Sequence, residues 1–207
     1  MVILAKPDTA VDALPLLLRL DPAVRLSDEQ LLEICRLNRD LRIERTSQGD
    51  LVMMAPAGGG SGERNAEIVY QLRKWAKEDA TGVAFDSSAG FILPNRAMRA
   101  PDAAWVRRSR LTGLTRQEKE KFLPLCPDFV IELRSASDRL EEQREKLREY
   151  IENGASLGWL IDPVTRRLHV YRASQAPEIL KAPRSVSADP VLPGFQLQLE
   201  EIWNPSW

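Results

Sequence analysis

Two Pro-Asp pairs in this chain each precede an apolar, strand-like segment, and either could supply a carboxylate to a metal ion. Pro101-Asp102 opens the stretch PDAAWV, and Pro127-Asp128 opens PDFVIELRSASD, which also contains Glu132. A metal ion held by two carboxylates can lower the pKa of a bound water and turn it into a nucleophile. The chemistry that these residues indicate is therefore metal-assisted hydrolysis.

Strand geometry decides which of these carboxylates could share an ion. Two ligands of one Mg²⁺ each lie about 2.1 Å from it, so their oxygens must come close together. Asp128 and Glu132 are four residues apart on one strand, which separates their Cα atoms by roughly 13 Å. Asp102 begins the preceding major strand, and if the two strands pair, Asp102 and Glu132 lie across a spacing of about 4.8 Å. This second pair would suit a hard cation such as Mg²⁺ or Mn²⁺.

A purely structural interpretation of the same residues stays open. Glu132 interrupts an apolar strand, and its neighbours indicate burial on both faces of the sheet, where an unpaired carboxylate would be costly. In this alternative Asp102 caps a turn and Glu132 forms an ion pair with Arg134. Residue types and spacing alone favour this ion pair over a metal site.

Composition excludes several other classes of protein. The 207 residues fit one domain, and 29 Lys and Arg nearly balance 30 Asp and Glu, so no overall basic charge indicates a nucleic-acid binder. His169 is the only histidine and the two cysteines, Cys35 and Cys126, are far apart, which excludes the usual zinc patterns. No apolar run is long enough to cross a bilayer. We therefore expect a cytoplasmic protein without a membrane segment.

The first half of the chain predicts a helix, a hairpin and a second helix. Ser27 and Gln30 have capping-box spacing at the start of LSDEQLLEICRLN, and LRIERTSQGDLVMMAP has the pattern of a β-hairpin. The run Gly58 to Gly60 precedes the second helix, for which Ser61 is the predicted N-cap. A glycine-rich turn before a helix can bind phosphate, but no GK[ST] follows, so we interpret it as a connector.

The second half predicts three strands, a helix and further strands. The helix follows Ser137, its predicted cap, and ends at Asn153-Gly154, and His169 alternates with apolar neighbours and is predicted to face solvent. This element order predicts an α/β (α+β) fold with a mixed central sheet, flanking helices and extra β-hairpins at both ends. Residues 1–26 are predicted to be an N-terminal arm and residues 27–207 a single domain.

Several motifs, taken together and in order, resemble the Uma-type family. They are LRIERTSQGDLVMMAPAGGGSGERNAEI, FDSSAGFILPN, PDAAWV, PDFVIELRSASD, EKLREYIENGASLGWLIDP and HVYR, which together span roughly residues 27–203. Members of the Uma-type family are bacterial proteins, especially common in cyanobacteria, that are assigned to the PD-(D/E)XK nuclease superfamily. The resemblance implies a restriction-endonuclease-like core in this chain.

The resemblance also implies roles for particular residues. Asp102 and Glu132 match the two metal ligands, and Glu44 matches a position that is usually acidic and could line the site. The nuclease lysine belongs two residues after the glutamate, where this chain has Arg134, which stays protonated and could steady a phosphate but not act as a base. The lysine is implied to have moved to the next helix, where Lys146 matches, although Lys146 could also be a solvated helix residue. Glu63 and Glu67 are weaker matches to a helper glutamate.

The function implied by the resemblance is Mg²⁺-dependent (or Mn²⁺-dependent) endonuclease activity on double-stranded DNA, and a homodimer is the expected assembly. Arginines and lysines between residues 96 and 121 could form a basic surface near the site. The alternative is an inactive nucleic-acid-binding or protein-interaction member of the same fold, in which Arg134 marks lost activity. The position of the Lys146 amine relative to Asp102 and Glu132 separates the two: a distance beyond about 8 Å would favour the inactive protein.

Overall fold

A computed structural model of the chain describes residues 15–54 and 56–205. The strands are β1 (Leu16–Leu18), β2 (Arg42–Arg45), β3 (Leu51–Met54), β4 (Gly82–Asp86), β5 (Phe91–Ile92), β6 (Met98–Arg99), β7 (Ala103–Arg107), β8 (Phe129–Leu133), β9 (Leu157–Asp162), β10 (Arg167–Arg172), β11 (Glu178–Lys181), β12 (Ser185–Ser187) and β13 (Gln196–Gln198). The helices are α1 (Asp28–Leu37), α2 (Gly59–Asp79), α3 (Arg108–Leu111), α4 (Arg116–Lys119), α5 (Leu140–Glu152) and α6 (Glu200–Trp203).

The central sheet has six strands in the order β11-β10-β9-β8-β7-β4. The β8–β9 pair is parallel and is connected through α5, whereas every other neighbouring pair is antiparallel. On one face of the sheet, Phe129 and Ile131 of β8 pack against α2, β13 and α6. On the other face, Val130 of β8 packs against α5. Strand β8 is therefore buried on both faces, as its apolar sequence predicts.

A second sheet carries the N-terminal part of the chain, in the order β1-β3-β2-β6-β5. The predicted helix and hairpin are confirmed: α1 has the Ser27–Gln30 capping box, and β2 pairs antiparallel with β3. Within the predicted arm, β1 pairs with β3. The rest of the arm, residues 1–14, lies outside the described residues, and the boundary at residue 26 stays a prediction.

Two predicted helix starts are wrong by a few residues. Helix α2 begins at Gly59 with Gly58 as its N-cap, so the glycine run forms the first helical turn rather than a connector, and Ser61 lies within the helix. Helix α5 begins at Leu140 after Arg139, and Ser137 belongs to the preceding turn. Burial of the apolar faces of both helices stabilises first turns that capping chemistry alone would not favour.

The prediction that His169 faces solvent is also wrong. Its side chain is 1 % exposed, because α5 packs on the face of β10 that carries His169 and Tyr171, while the opposite face also lies in the core. Burial, together with the nearby Arg144, lowers the pKa of His169, so the imidazole is neutral near pH 7.

The predicted mixed α/β architecture, with flanking helices and added hairpins, is confirmed. Within residues 15–54 and 56–205, no helix is both long and apolar enough to cross a membrane.

Candidate active site

Asp102 and Glu132 lie side by side where β7 begins and β8 ends. The antiparallel register places Ala103 opposite Ile131, so the next positions outward on the two strands are Asp102 and Glu132. The Asp102 carboxylate reaches across the ladder, and its Oδ2 accepts a hydrogen bond of 2.8 Å from the backbone N–H of Leu133. Both carboxylates are buried. Two neighbouring strands thus bring together the pair of acids that strand spacing predicts.

Asp128 lies at the opposite end of β8 and takes no part in this pair. Its Oδ2 accepts from the backbone N–H of Arg107 at 2.9 Å, and its Oδ1 forms a 3.1 Å ion pair with Arg110. Arg107 and Arg110, two of the basic residues between positions 96 and 121, therefore pair with Asp128 instead of forming a basic surface beside Asp102 and Glu132.

Lys146 projects from α5 into the space between two buried carboxylates. Its Nζ lies 2.9 Å from Glu132 Oε1 and 2.8 Å from Glu44 Oε1, and its side chain is 11 % exposed. One helical turn later, the hydroxyl of Tyr150 donates to Glu132 Oε1 at 3.0 Å. The interpretation of Lys146 as a solvated helix residue is therefore wrong, as is the predicted ion pair between Glu132 and Arg134.

Glu44 lies on strand β2, and three donors fix its carboxylate. It accepts from Lys146, from the backbone N–H of Ala100 at 3.1 Å and from Arg99 Nη1 at 3.1 Å. Arg99 is held on its other side by Glu149, whose Oε2 lies 2.6 Å from Arg99 Nε. Glu44 therefore orients Lys146 from the side away from Glu132.

Arg42 and Asn65 complete the surroundings of Asp102. Asp102 Oδ1 accepts from Arg42 Nη1 at 3.1 Å and from Asn65 Nδ2 at 3.2 Å, and Arg42 Nη2 also donates to the carbonyl of Ala100. Neither residue was predicted from the sequence. A signal for Arg42 was present, since it lies two positions before Glu44 on a strand and so shares its face.

The charges in this cluster act differently on its two glutamates. Burial alone would raise the pKa of Glu44, but the Lys146 ammonium and the Arg99 guanidinium outweigh it and lower that pKa to about 2. Burial, with the nearby charges of Asp102 and Glu44, raises the pKa of Glu132 to about 7 despite Lys146. Burial opposes the charge on Lys146, yet Glu132 and Glu44 raise its pKa, so the amine stays protonated. Negative charge is thus least compensated where Asp102 and Glu132 meet.

A cavity of about 910 Å³ opens over this cluster and is lined by Asp102, Glu132 and Lys146. Two further lining residues, Asn65 and Gln143, each have a buried amide oxygen that finds no donor among the described residues. Oxygen acceptors beside two carboxylates are the donor set that Mg²⁺ and Mn²⁺ prefer, so these residues fit such an ion. No group of three His, Cys, Asp or Glu side chains with metal-site geometry occurs in the described part of the chain. The neutral oxygens would therefore have to supplement the two acids.

Comparison with known proteins places the chain in a family. Residues 28–200 match the sequence model of the family described as "Uma2: Putative restriction endonuclease". The chain belongs to the Uma2 family. The matched residues include Glu44, Asp102, Glu132 and Lys146, and membership points to a nuclease, for which the substrate class is nucleic acid.

One solved structure has the same fold as this Uma2 protein. It is a protein from Anabaena variabilis whose title calls it a "putative nuclease belonging to DUF820", with a TM-score of 0.67 and 19 % sequence identity. The similarity covers 78 % of this chain and 89 % of that one. No curated protein matches the chain.

The structure does not bring all the residues predicted for this Uma2 site together. Arg134 directly follows β8. Its Nη1 is 3.2 Å from both carboxylate oxygens of Asp162 at the end of β9, and its Nε donates to the carbonyl of Asp138 at 3.1 Å. Glu67 accepts from Gln71 on the surface of α2. Glu63, on the same helix, has a buried oxygen without a donor among the described residues but does not line the cavity.

Replacing Arg134 should affect stability more than cleavage. Arg134→Ala removes the guanidinium from the buried Asp162, and we expect a loss of about 1–3 kcal/mol in the free energy of unfolding. Cleavage per folded molecule should stay within a few-fold of wild type. Thermal unfolding and a cleavage assay on the same preparation measure both quantities, with the exposed Arg139→Ala as the control for one lost charge. Abolished cleavage with unchanged stability would instead place Arg134 in the reaction.

Proposed function

We propose that this protein is a metal-dependent endonuclease that hydrolyses phosphodiester bonds of double-stranded DNA. The observation that supports the proposal most strongly is the position of Lys146, whose Nζ lies within 3 Å of both Glu132 and Glu44. This distance is far below the roughly 8 Å limit beyond which the inactive alternative would be favoured. A buried lysine and two adjacent acids facing a cavity are an arrangement that phosphodiester hydrolysis can use.

Asp102 and Glu132 would hold Mg²⁺ or Mn²⁺ in this proposal, with the amide oxygens of Asn65 and Gln143 nearby as neutral ligands or water partners. When bound, such an ion supplies a water of lowered pKa and stabilises negative charge on the phosphate. The tight hydrogen bonds from Leu133 N–H to Asp102 and from Tyr150 to Glu132 fix both carboxylates before an ion arrives. This preorganisation limits the cost of forming the site.

Lys146 would act as a fixed positive charge rather than as a base. Its pKa is raised by Glu132 and Glu44, so the amine has no free lone pair with which to take a proton near pH 7. The ammonium can donate to a phosphate oxygen or to the attacking water and oppose the charge that develops in the transition state. Glu44 would be a positioning residue that holds the amine in place.

One active centre cuts one strand at a time, so simultaneous cleavage of both strands of a duplex takes two centres, and we therefore propose that the protein acts as a homodimer. Sedimentation of the protein alone and bound to a DNA duplex measures the number of copies. A duplex bound and cut in both strands by a single copy would contradict this part of the proposal.

The activity itself is tested with supercoiled plasmid in Mg²⁺, in Mn²⁺ and in EDTA. We expect conversion to nicked and linear DNA in either metal and none in EDTA. A panel of plasmid and genomic DNA substrates guards against a requirement for a particular sequence. DNA that is bound but never cut in either metal would contradict the nuclease proposal and favour the inactive nucleic-acid-binding alternative.

A further inference from the structure

We propose that Arg42 is a displaceable counter-ion of the active site, which neutralises Asp102 in the empty protein and moves onto a DNA phosphate when metal and substrate bind. This inference rests on the proposed function and adds a residue to it. It predicts that binding of metal and DNA is cooperative, because the phosphate removes from Asp102 the charge that competes with the metal.

The bonding of Arg42 differs from that of the other arginine on the same strand. All three nitrogens of Arg45 donate, to Arg96 O, Leu26 O and Asp28 Oδ1, and its side chain is 4 % exposed. Arg42 donates only from its two terminal nitrogens, and its buried Nε finds no acceptor among the described residues. Its side chain is 32 % exposed and lines the cavity. Arg45 is therefore structural, whereas Arg42 leaves one donor unused and has a side chain that is partly open to the cavity.

Asp102 cannot accept a cation at Oδ1 while Arg42 stays in place. A carboxylate oxygen offers two lone pairs, and those of Oδ1 already accept from Arg42 and Asn65. A metal ion at this oxygen would have to displace one donor, and it would repel the guanidinium but only weakly affect the neutral amide. Arg42 is therefore the group that a metal ion at Oδ1 displaces.

The charges of the cluster show why a phosphate is needed for this exchange. When Glu132 is ionised, three cations face four carboxylates: Arg42, Arg99 and Lys146 against Glu44, Asp102, Glu132 and Glu149. A divalent ion would turn the single excess negative charge into a single excess positive charge. One phosphodiester carries the one negative charge that restores neutrality, so metal and phosphate bind together more favourably than either alone.

Arg42 is also the cation of the three that can move at least cost. Arg99 and Lys146 are each held by two carboxylates and are almost closed to solvent. Arg42 has one carboxylate partner and reaches the open cavity. The same cavity is bordered by Gly58 and Ser61 in the first turn of α2, where the helix dipole favours a bound anion. A displaced guanidinium would therefore meet a phosphate without leaving the cavity.

Metal binding without DNA provides the first test. For Arg42→Met, Mn²⁺ binding measured by calorimetry should be about tenfold tighter than for wild type, because a nearby positive charge is removed. Arg39→Met is the matched control: Arg39 also borders the cavity but does not contact Asp102, so its removal should change the Mn²⁺ affinity less than about twofold.

The second test measures DNA binding in Ca²⁺, with gels to verify that the DNA stays uncut. The expected effect on affinity is opposite to that on Mn²⁺ binding. Arg42→Met should bind a duplex about tenfold more weakly, and its slope of log affinity against log salt should fall by about one. Arg42→Lys keeps the charge, so it should retain the salt slope. It cannot donate to Asp102 and Ala100 as the guanidinium does, so it should be displaced from Asp102 more easily and bind Mn²⁺ more tightly than wild type. This variant keeps the test valid if Arg42→Met does not fold.

Different results would overturn the nuclease function and the counter-ion role of Arg42. Wild type that binds neither Mn²⁺ nor DNA would overturn the proposed nuclease function, and the role of Arg42 with it. Wild type that binds both, with variants of Arg42 that bind Mn²⁺ no more tightly, would overturn the counter-ion role alone. Tighter Mn²⁺ binding together with weaker DNA binding would support it.

Discussion

Glu132→Gln is expected to reduce metal-dependent plasmid cleavage about a thousandfold, since metal-ion stabilisation contributes several kcal/mol and each ~1.4 kcal/mol is tenfold in rate. The amide oxygen can still accept from Tyr150, and Lys146 keeps Glu44 as its partner, so the variant should fold. Cleavage rates under single-turnover conditions in Mg²⁺, measured for proteins purified in parallel, give the ratio.

Asp128→Asn is the matched control, because it alters a buried acid on the same strand and in the other Pro-Asp pair. Asp128 neutralises Arg110 at the far end of β8, so this variant should cut within a few-fold of wild type. Equal cleavage by wild type and Glu132→Gln would show that the activity comes from another site or from a contaminating nuclease.

Glu132→Gln should at the same time stabilise the metal-free protein at high pH. The folded state raises the pKa of Glu132 to about 7, so wild type gains stability from this group below its unfolded pKa and loses it as pH rises through 7. The neutral amide removes that loss. In EDTA, the melting temperature of Glu132→Gln relative to wild type should therefore be higher at pH 8 than at pH 5. A constant difference would show that Glu132 titrates normally.

Lys146→Met should have the largest effect on stability, because it leaves Glu44 and Glu132 without the cation between them. Removing one partner of a buried ion pair typically costs about 3 kcal/mol or more, here in the free energy of unfolding. Cleavage should also be lost, since no other protonated amine contacts these two acids in the described part of the chain. Urea unfolding at pH 8 measures the stability change.

Lys77→Met is the control for Lys146→Met, since Lys77 is an exposed lysine of α2 and its replacement should change stability by less than about 0.5 kcal/mol. Adding Glu132→Gln to Lys146→Met should recover part of the lost stability, because it removes one of the two unbalanced carboxylates. Additive effects of the two substitutions would contradict direct coupling between Lys146 and Glu132.

Local sequence patterns predict most of the helices and strands of the fold. The capping box at Ser27, the β2–β3 hairpin and the doubly buried β8 follow from short-range periodicity and turn chemistry, and the structure has all three. The first turn of α2 was missed, because a glycine run has no helix propensity of its own and becomes helical only when the rest of that helix is packed on the sheet.

The pairing of Asp102 with Glu132 can be predicted from the sequence, because it depends only on the geometry of neighbouring strands. Strand rise excludes Asp128 with Glu132, and strand pairing allows Asp102 with Glu132. Lys146 was reached only through resemblance to a family, since spacing alone fits a solvated helix lysine equally well. Its partner Glu44 is 102 residues away in the chain, and no local signal connects the two.

The sequence by itself determined the elements, their order and the acids that two adjacent strands can bring together, because these depend on repeats of two to four residues. Only the tertiary structure decided which cation meets which carboxylate: Lys146 with Glu44 and Glu132, Arg42 with Asp102, and Arg134 with Asp162. It also decided that His169 is buried. These outcomes depend on how the two sheets and α5 pack together, and long flexible side chains choose among several acids only once that packing has fixed the distances between them.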